Sequence, residues 1–286
     1  MKKIFFSLLL LISQANAATF NLIFSSGPGS GSDQSLNAYI PCLRDQDIIV
    51  TKEFKPGAEG LVAIKALQNS VDSNSTTNIL IGNVGINVLG RYKDINLLTD
   101  LKPITYTNSI QLVIVAAKKT SISDLKALNR PINIGSSSSS GTFIAEKTFS
   151  ALNIPYNIIM YRNSSNSLTD LKNGSIDLAI DTLQGSISLI ETGLLSAMFS
   201  TGNYKDAIHL SDVVPILKKL QLGLIISAKS DINKTNIEKV YKIFDNCNKR
   251  EDVKQALAKL YSEPILGITT DDILETIRIV RADQKL

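Results

Sequence analysis

Ser26-Gly27-Pro28-Gly29-Ser30-Gly31-Ser32-Asp33 reads as a tight connection between a strand and a helix, and that reading sets the class of fold. Before it, Thr19–Ser26 is a strand-like run; after it, Ser32–Arg44 carries helical spacing. Glycines let the backbone turn sharply and bring bare N–H groups forward. The helix that follows opens with orphan donors and the positive end of its dipole. Strand, glycine-rich turn and helix start together form a cradle for a carboxylate or a phosphate. Ser32 is the expected N-cap, and Asp33 suits the first turn electrostatically.

The same order repeats outward along the chain, which is how α/β sheets are written. Strand Ile48–Phe54, helix Gly60–Asn69 and strand Asn78–Gly82 follow first. Val84–Asn108 shows little periodicity and, with Gly90 and Pro103, reads as an excursion between strands. Then come the apolar run Gln111–Ala117, helix Ser123–Asn129, strand Ile132–Gly135, helix Gly141–Leu152, strand Tyr156–Tyr161 and helix Asn166–Lys172. Strand Asp177–Asp181, helix Ser186–Glu191 and strand Leu195–Ser200 complete the middle block. A second apolar run, Leu220–Ala228, precedes three amphipathic helices. If both apolar runs cross between domains, the middle block is inserted into the first domain. Two lobes joined by two strands make a hinge that closes on ligands. The divisions expected are 18–110 plus 226–286 for one lobe and 111–225 for the other.

Gly135-Ser136-Ser137-Ser138-Ser139-Ser140-Gly141-Thr142 is a second strand-to-helix connection, rich in hydroxyls that both donate and accept. In open α/β sheets ligands sit beyond the carboxyl ends of strands, where both loops fall. Other chemistries find no support. Gly27, Gly29 and Gly31 have the wrong spacing for a dinucleotide fingerprint, and neither loop ends in Gly-Lys-Ser/Thr. No G-x-S-x-G elbow exists. His209, the only histidine, reads as a lone exposed side chain. Asp177 and Asp181 share a strand face, and Asp181, at its carboxyl end, is the better cleft residue. Two cysteines and one histidine do not build a typical zinc site. No catalytic residue, metal or cofactor is expected, and the chain reads as a non-enzyme.

Met1 to Ala17 has Lys2 and Lys3, the apolar stretch Ile4–Ile12 and Ala15-Asn16-Ala17, the pattern of a cleaved export signal. Its apolar run is shorter than the roughly 20 residues that span a bilayer. Without Lys2 and Lys3, 28 basic and 26 acidic side chains remain, a balance that argues against nucleic acid. In an oxidising compartment Cys42 and Cys247 either form one disulfide or remain two buried thiols.

At these residues the chain resembles the extracytoplasmic solute receptors of tripartite tricarboxylate transporters, the Bug-type or TctC binding proteins. Gly27–Asp33 is a close variant of that family's P-G-G-x-x-D loop, and Glu53–Gly60 echoes its E-N-r-P-G-A-x-G turn. Ile79–Asn83 is similar to L-L-x-G-x, and Leu171–Asp181 to L-x-x-G-x-V-D-x-x-F-D. Ser136–Thr142 matches the small-residue loop before the second lobe's main helix, and Met160–Asn163 loosely echoes P-Y-K-G. The matches run in order over most of the chain. Phe54 replaces the usual Asn, and Arg162-Asn163 stands where Lys-Gly is usual.

The resemblance implies an α/β, two-lobed type II periplasmic-binding-protein fold with a two-strand hinge. It implies a periplasmic, monomeric receptor that captures a small carboxylate and delivers it to the membrane subunits of a tripartite tricarboxylate-type transporter. Gly29, Ser30, Ser32, Ser138, Ser139 and Thr142 would hold the carboxylate through amides and hydroxyls, partly by way of water. Asp181 would sit by the pocket and accept from hydroxyl or amino groups. Gly31, Asp33, Asn83, Ser137 and Tyr161 complete the expected binding set. Arg162 is either a second-carboxylate anchor or a solvated surface cation. A ligand sensor for a membrane histidine kinase and a secreted hydrolase are the competing readings.

Overall fold

The computed structural model describes residues 18–83 and 100–284. The export signal expected at 1–17 and most of the 84–108 stretch read as an excursion therefore lie outside the described residues. The chain begins with β1 (Ala18–Phe24), α1 (Gly31–Asn37), α2 (Ile40–Asp45), β2 (Ile48–Phe54), α3 (Leu61–Asn69), β3 (Thr76–Asn83) and β4 (Leu101–Ser109). The middle holds β5 (Leu112–Ala116), α4 (Ile122–Ala127), β6 (Ile132–Ser136), α5 (Ser139–Ala151), β7 (Tyr156–Met160) and α6 (Ser164–Lys172). It continues with β8 (Leu178–Thr182), α7 (Leu183–Glu191), β9 (Ser196–Ser200), β10 (Ile208–His209) and α8 (Leu210–Val213). β11 (Gly223–Lys229) leads to α9 (Lys234–Lys249), α10 (Glu251–Ala258) and α11 (Thr270–Gln284).

The strands form two sheets, ordered β2-β1-β3-β11-β4 and β10-β9-β5-β8-β6-β7. β1 runs parallel to β2 and β3, while β11 is antiparallel to both neighbours. In the second sheet β5 alone is reversed, antiparallel to β8 and β9. These two reversed strands are the two apolar runs. Neither is shared between sheets. The chain passes from one sheet to the other at Ile110-Gln111 and returns just before β11, and the Ile110 amide donates to the Leu222 carbonyl (3.0 Å), so the two links run side by side. The division expected between 225 and 226 falls inside β11, whose ladder with β4 starts at Gly223.

β4 departs from the sequence expectation of an excursion. Of its nine residues seven are buried, covered by α9 and α11. A strand buried on both faces reads as a continuous apolar run, and β4 breaks that run with Lys102, Pro103 and the buried polar Thr105, Thr107 and Asn108. Pro103 fits because β4 is the sheet's edge and its register against β11 shifts there. The single helix expected over Ser32–Arg44 is two. Pro41 has no N–H to give to the carbonyl four residues back, so the chain breaks at Ala38-Tyr39 and α2 restarts with Pro41 in its first turn.

Cys42 on α2 and Cys247 on α9 are disulfide-bonded, with Cα atoms 5.7 Å apart. Around them Phe20, Tyr39 and Phe244 pack as an aromatic group, Phe20 stacked on Phe244 at 6.1 Å between centroids. His209 is half-buried rather than exposed: its Nδ1 accepts from the Ser211 amide and caps α8.

Candidate functional site

Segments at the carboxyl ends of β1, β3, β6, β7 and β8 meet around a cavity of about 230 Å³. Both sheets contribute, as expected for loops beyond strand ends in open α/β sheets. The first turns of four helices border the cavity: Gly31 and Ser32 of α1, Ser140 and Gly141 of α5, Ser164 and Ser165 of α6, and Gly185 of α7. Each N-cap oxygen accepts an amide within its own helix: Ser30 from Asp33, Ser138 from Gly141, Asn163 from Asn166, and Thr182 from Gly185. The amides of Gly31 and Ser32 have no acceptor among the described residues. Ser25, Ser26 and Ser137 also line the wall, the Ser25 hydroxyl donating to the Ile81 carbonyl and those of Ser26 and Ser137 paired with the Ser30 and Ser164 hydroxyls. The arrangement places many partial positive charges on one small space.

The first loop differs in detail from its sequence reading. The N-cap is Ser30, not Ser32, because α1 begins at Gly31. Gly29 lines the cavity with φ +74°, but its amide donates inward to Asp33 Oδ2 (2.9 Å). Asp33 does not line the cavity: it braces the turn, also pairing with Lys52 at 2.6 Å. Ser30 is tied to Ser26 through their hydroxyl oxygens at 2.8 Å.

Of the expected set, Gly29, Ser30, Gly31, Ser32, Asn83, Ser137, Ser138 and Asp181 line the cavity. Ser139, Thr142 and Tyr161 do not. α5 starts two residues before the expected position, which turns Ser139 into the interior, its hydroxyl without a partner among the described residues. Thr142 is buried one turn into α5 behind Ser138, whose carbonyl lies 3.1 Å from the Thr142 hydroxyl. Tyr161 donates to Asp170 (2.7 Å), and its hydroxyl is pushed up to about 12 by desolvation first and then by that carboxylate. Its role is to hold β7 to α6.

Asp181 ends at the cavity wall yet is only 7 % exposed. Burial pushes its carboxyl above the usual carboxylate range, against the opposing pull of the Ser164, Thr182 and Ser186 hydroxyls and the Thr182 amide. Ser186 donates to Oδ2 at 3.1 Å. Asp177, its strand neighbour in sequence, belongs elsewhere: it forms a two-point pair with Arg130 (2.7 and 2.8 Å) on the surface.

Two charged residues of the wall stand outside the expected set. Arg162 is the one Lys or Arg that borders the cavity among the described residues, which makes the surface-cation reading incomplete. Glu59 reaches the wall from the turn before α3. Its sequence signal was the Gly57-Ala58-Glu59-Gly60 turn, where the pattern leaves that position free. Contacts also cross the cavity: the Ser140 hydroxyl donates to Asn83 Oδ1 (2.9 Å), and the Thr142 hydroxyl lies 3.2 Å from Glu59 Oε1.

Two sheets joined by paired links, with a polar cavity between their strand ends, define a periplasmic-binding-protein architecture. The sequence matches the family model of the tripartite tricarboxylate transporter family receptor over residues 43–249, and the chain belongs to that family. Comparison with curated proteins gives no match. Among solved structures, the periplasmic binding protein BugD matches with a TM-score of 0.80 at 15% identity, over 94% of this chain and 97% of that one. Rpa4515 of R. palustris with adipate gives 0.80 at 18% identity, covering 94% and 95%. MatC of Rhodopseudomonas palustris with bound malate gives 0.79 at 12% identity, covering 93% and 97%. At these identities the likeness is one of fold. No helix among the described residues is long and apolar enough to cross a membrane.

Proposed function

We propose that this receptor works outside the cytoplasmic membrane as a monomer, captures a small carboxylate between two lobes, and hands it to the membrane subunits of a tripartite-type transporter. The lobes in this reading are built on the two sheets, and the paired links at Ile110-Gln111 and Leu222 form the hinge between them. The observation that carries it is the convergence of four helix starts from both sheets on one cavity of about 230 Å³. Fixed N–H dipoles in a confined cavity bind an anion without needing a countercharge for each oxygen. Arg162 adds a planar cation suited to a carboxylate. Family membership supports the same reading, as do the adipate and malate named for two structures of the same fold. Serine hydrolysis has little to work with, since His209 is engaged in capping α8 and does not border the cavity.

The test is thermal unfolding of the purified protein against mono-, di- and tricarboxylates, with neutral analogues as controls. A ligand at a hundred times its dissociation constant stabilises by about 2.7 kcal/mol. A selective rise with one acid supports the reading. A rise with neutral analogues and none with acids refutes it.

A further inference from the structure

Glu59 is the wall residue that carboxylate capture alone does not explain. It stands in a run of four residues with positive φ: Gly57 (131°), Ala58 (45°), Glu59 (51°) and Gly60 (100°). Glycine adopts such angles freely, but Ala58 and Glu59 do not. A backbone held in an unfavourable region at a cavity is the kind of outlier from which function is inferred.

The carboxylate that this turn delivers is poorly served. Its one hydrogen-bond partner among the described residues is the Thr142 hydroxyl at 3.2 Å. That hydroxyl has a single proton, for which the Ser138 carbonyl (3.1 Å) and Met160 Sδ (3.4 Å) also compete. No Lys or Arg among the described residues pairs with Glu59, although Arg162 borders the same cavity. Arg162 in turn has no carboxylate partner among the described residues. Asp181 differs from both, since Ser186 donates to it and its carboxyl is buried. The cavity thus presents one unpaired cation and one under-served anion that do not satisfy each other.

Resting on the receptor reading above, we propose that the ligand is a zwitterion. Its carboxylate lies against Arg162 and the loop amides, and an ammonium group fills the place beside Glu59. Glu59 is then the specificity-determining residue, rejecting acids that lack the amino group because they leave its charge unanswered.

Calorimetric titration with matched pairs tests this: succinate and aspartate, glutarate and glutamate, propionate and alanine. In at least one pair the amino member should bind at least tenfold more tightly. Glu59→Gln keeps the shape and removes the charge, and should bring that preference below threefold while melting like the wild type. Plain acids binding the wild type as tightly as their amino partners would overturn the proposal and leave carboxylate capture standing. So would a Glu59→Gln protein that binds both members equally weakly, the mark of a residue that only braces the closed cavity. Failure of every acid, with binding of a neutral solute, overturns both readings. Should the variant not fold, the wild-type ratio decides alone.

Discussion

Gly31 leaves no room for a side chain between α1 and the end of β8. A Cβ placed there would stand 2.6 Å from Thr182 Oγ1, on the opposite sheet's side. Gly31→Val should therefore push α1 away from the end of β8 and weaken ligand binding at least tenfold. Its melting temperature should fall by only a few degrees, read by calorimetric titration beside a thermal scan. Gly29 is the contrasting case. Space is open around it, but its φ of +74° is left-handed. Gly29→Ala should cost about 1–2 kcal/mol of stability by denaturant titration. Asp181 gives a pH signature. Because burial raises its carboxyl, the folded state holds that proton more tightly than the unfolded chain, whose Asp titrates near about 3.9. Above that value the wild type loses stability as pH rises toward the raised one. Asp181→Asn has no such slope, so the difference between the two should grow from pH 4 upward and disappear below it. At this scale the sequence was readable in its types but not in its directions. It marked the serine tract at 136–140, yet which hydroxyls face the cavity depends on where α5 starts, and a two-residue difference turned Ser139 inward.

Elements were legible wherever one face meets water. β2 and the amphipathic α9 each have an exposed side that gives the pattern a period; β2 has the expected bounds, and α9 is the first of the three amphipathic helices expected after the second apolar run. β4 failed because it is covered on both faces yet carries Pro103, Thr105, Thr107 and Asn108, so it shows neither alternation nor a continuous apolar run. The α1–α2 break was visible as Pro41, but a proline in a first turn and one in an interior look alike until the boundary is known. The pairing of Cys42 with Cys247 joins α2 to α9, elements that sequence alone could not bring together. Reduction, or Cys42→Ser with Cys247→Ser, should lower unfolding stability by about 2–5 kcal/mol. Denaturant titration with and without reductant measures it, and non-reducing mass spectrometry should show a mass two hydrogens lighter in the oxidised protein.

At the scale of the whole molecule, the two-sheet plan was legible because reversed strands β5 and β11 are the most continuous apolar runs in their neighbourhoods. The cavity's charge layout was not, since Glu59 and Arg162 come together only through the packing of one sheet's loops on the other's. If the sheets form lobes that close, small-angle scattering should show contraction on adding a ligand that raises the melting temperature. Gly31→Val should show less contraction at the same ligand saturation.

The disulfide has a mechanical side. Its two cysteines are separated by 205 positions, and the whole second sheet lies between them. A pull on the two chain ends is carried across the sulfur–sulfur bond, leaving everything enclosed slack. Stretched in an optical trap, the oxidised molecule should stop roughly 700 Å short of its full contour, at 3.3–3.6 Å per residue. Reductant should release that hidden length in addition; with the bridge intact, tension reaches the cavity wall through Ser25–Ser32 alone, and the enclosed segments of the wall are loaded only after reduction.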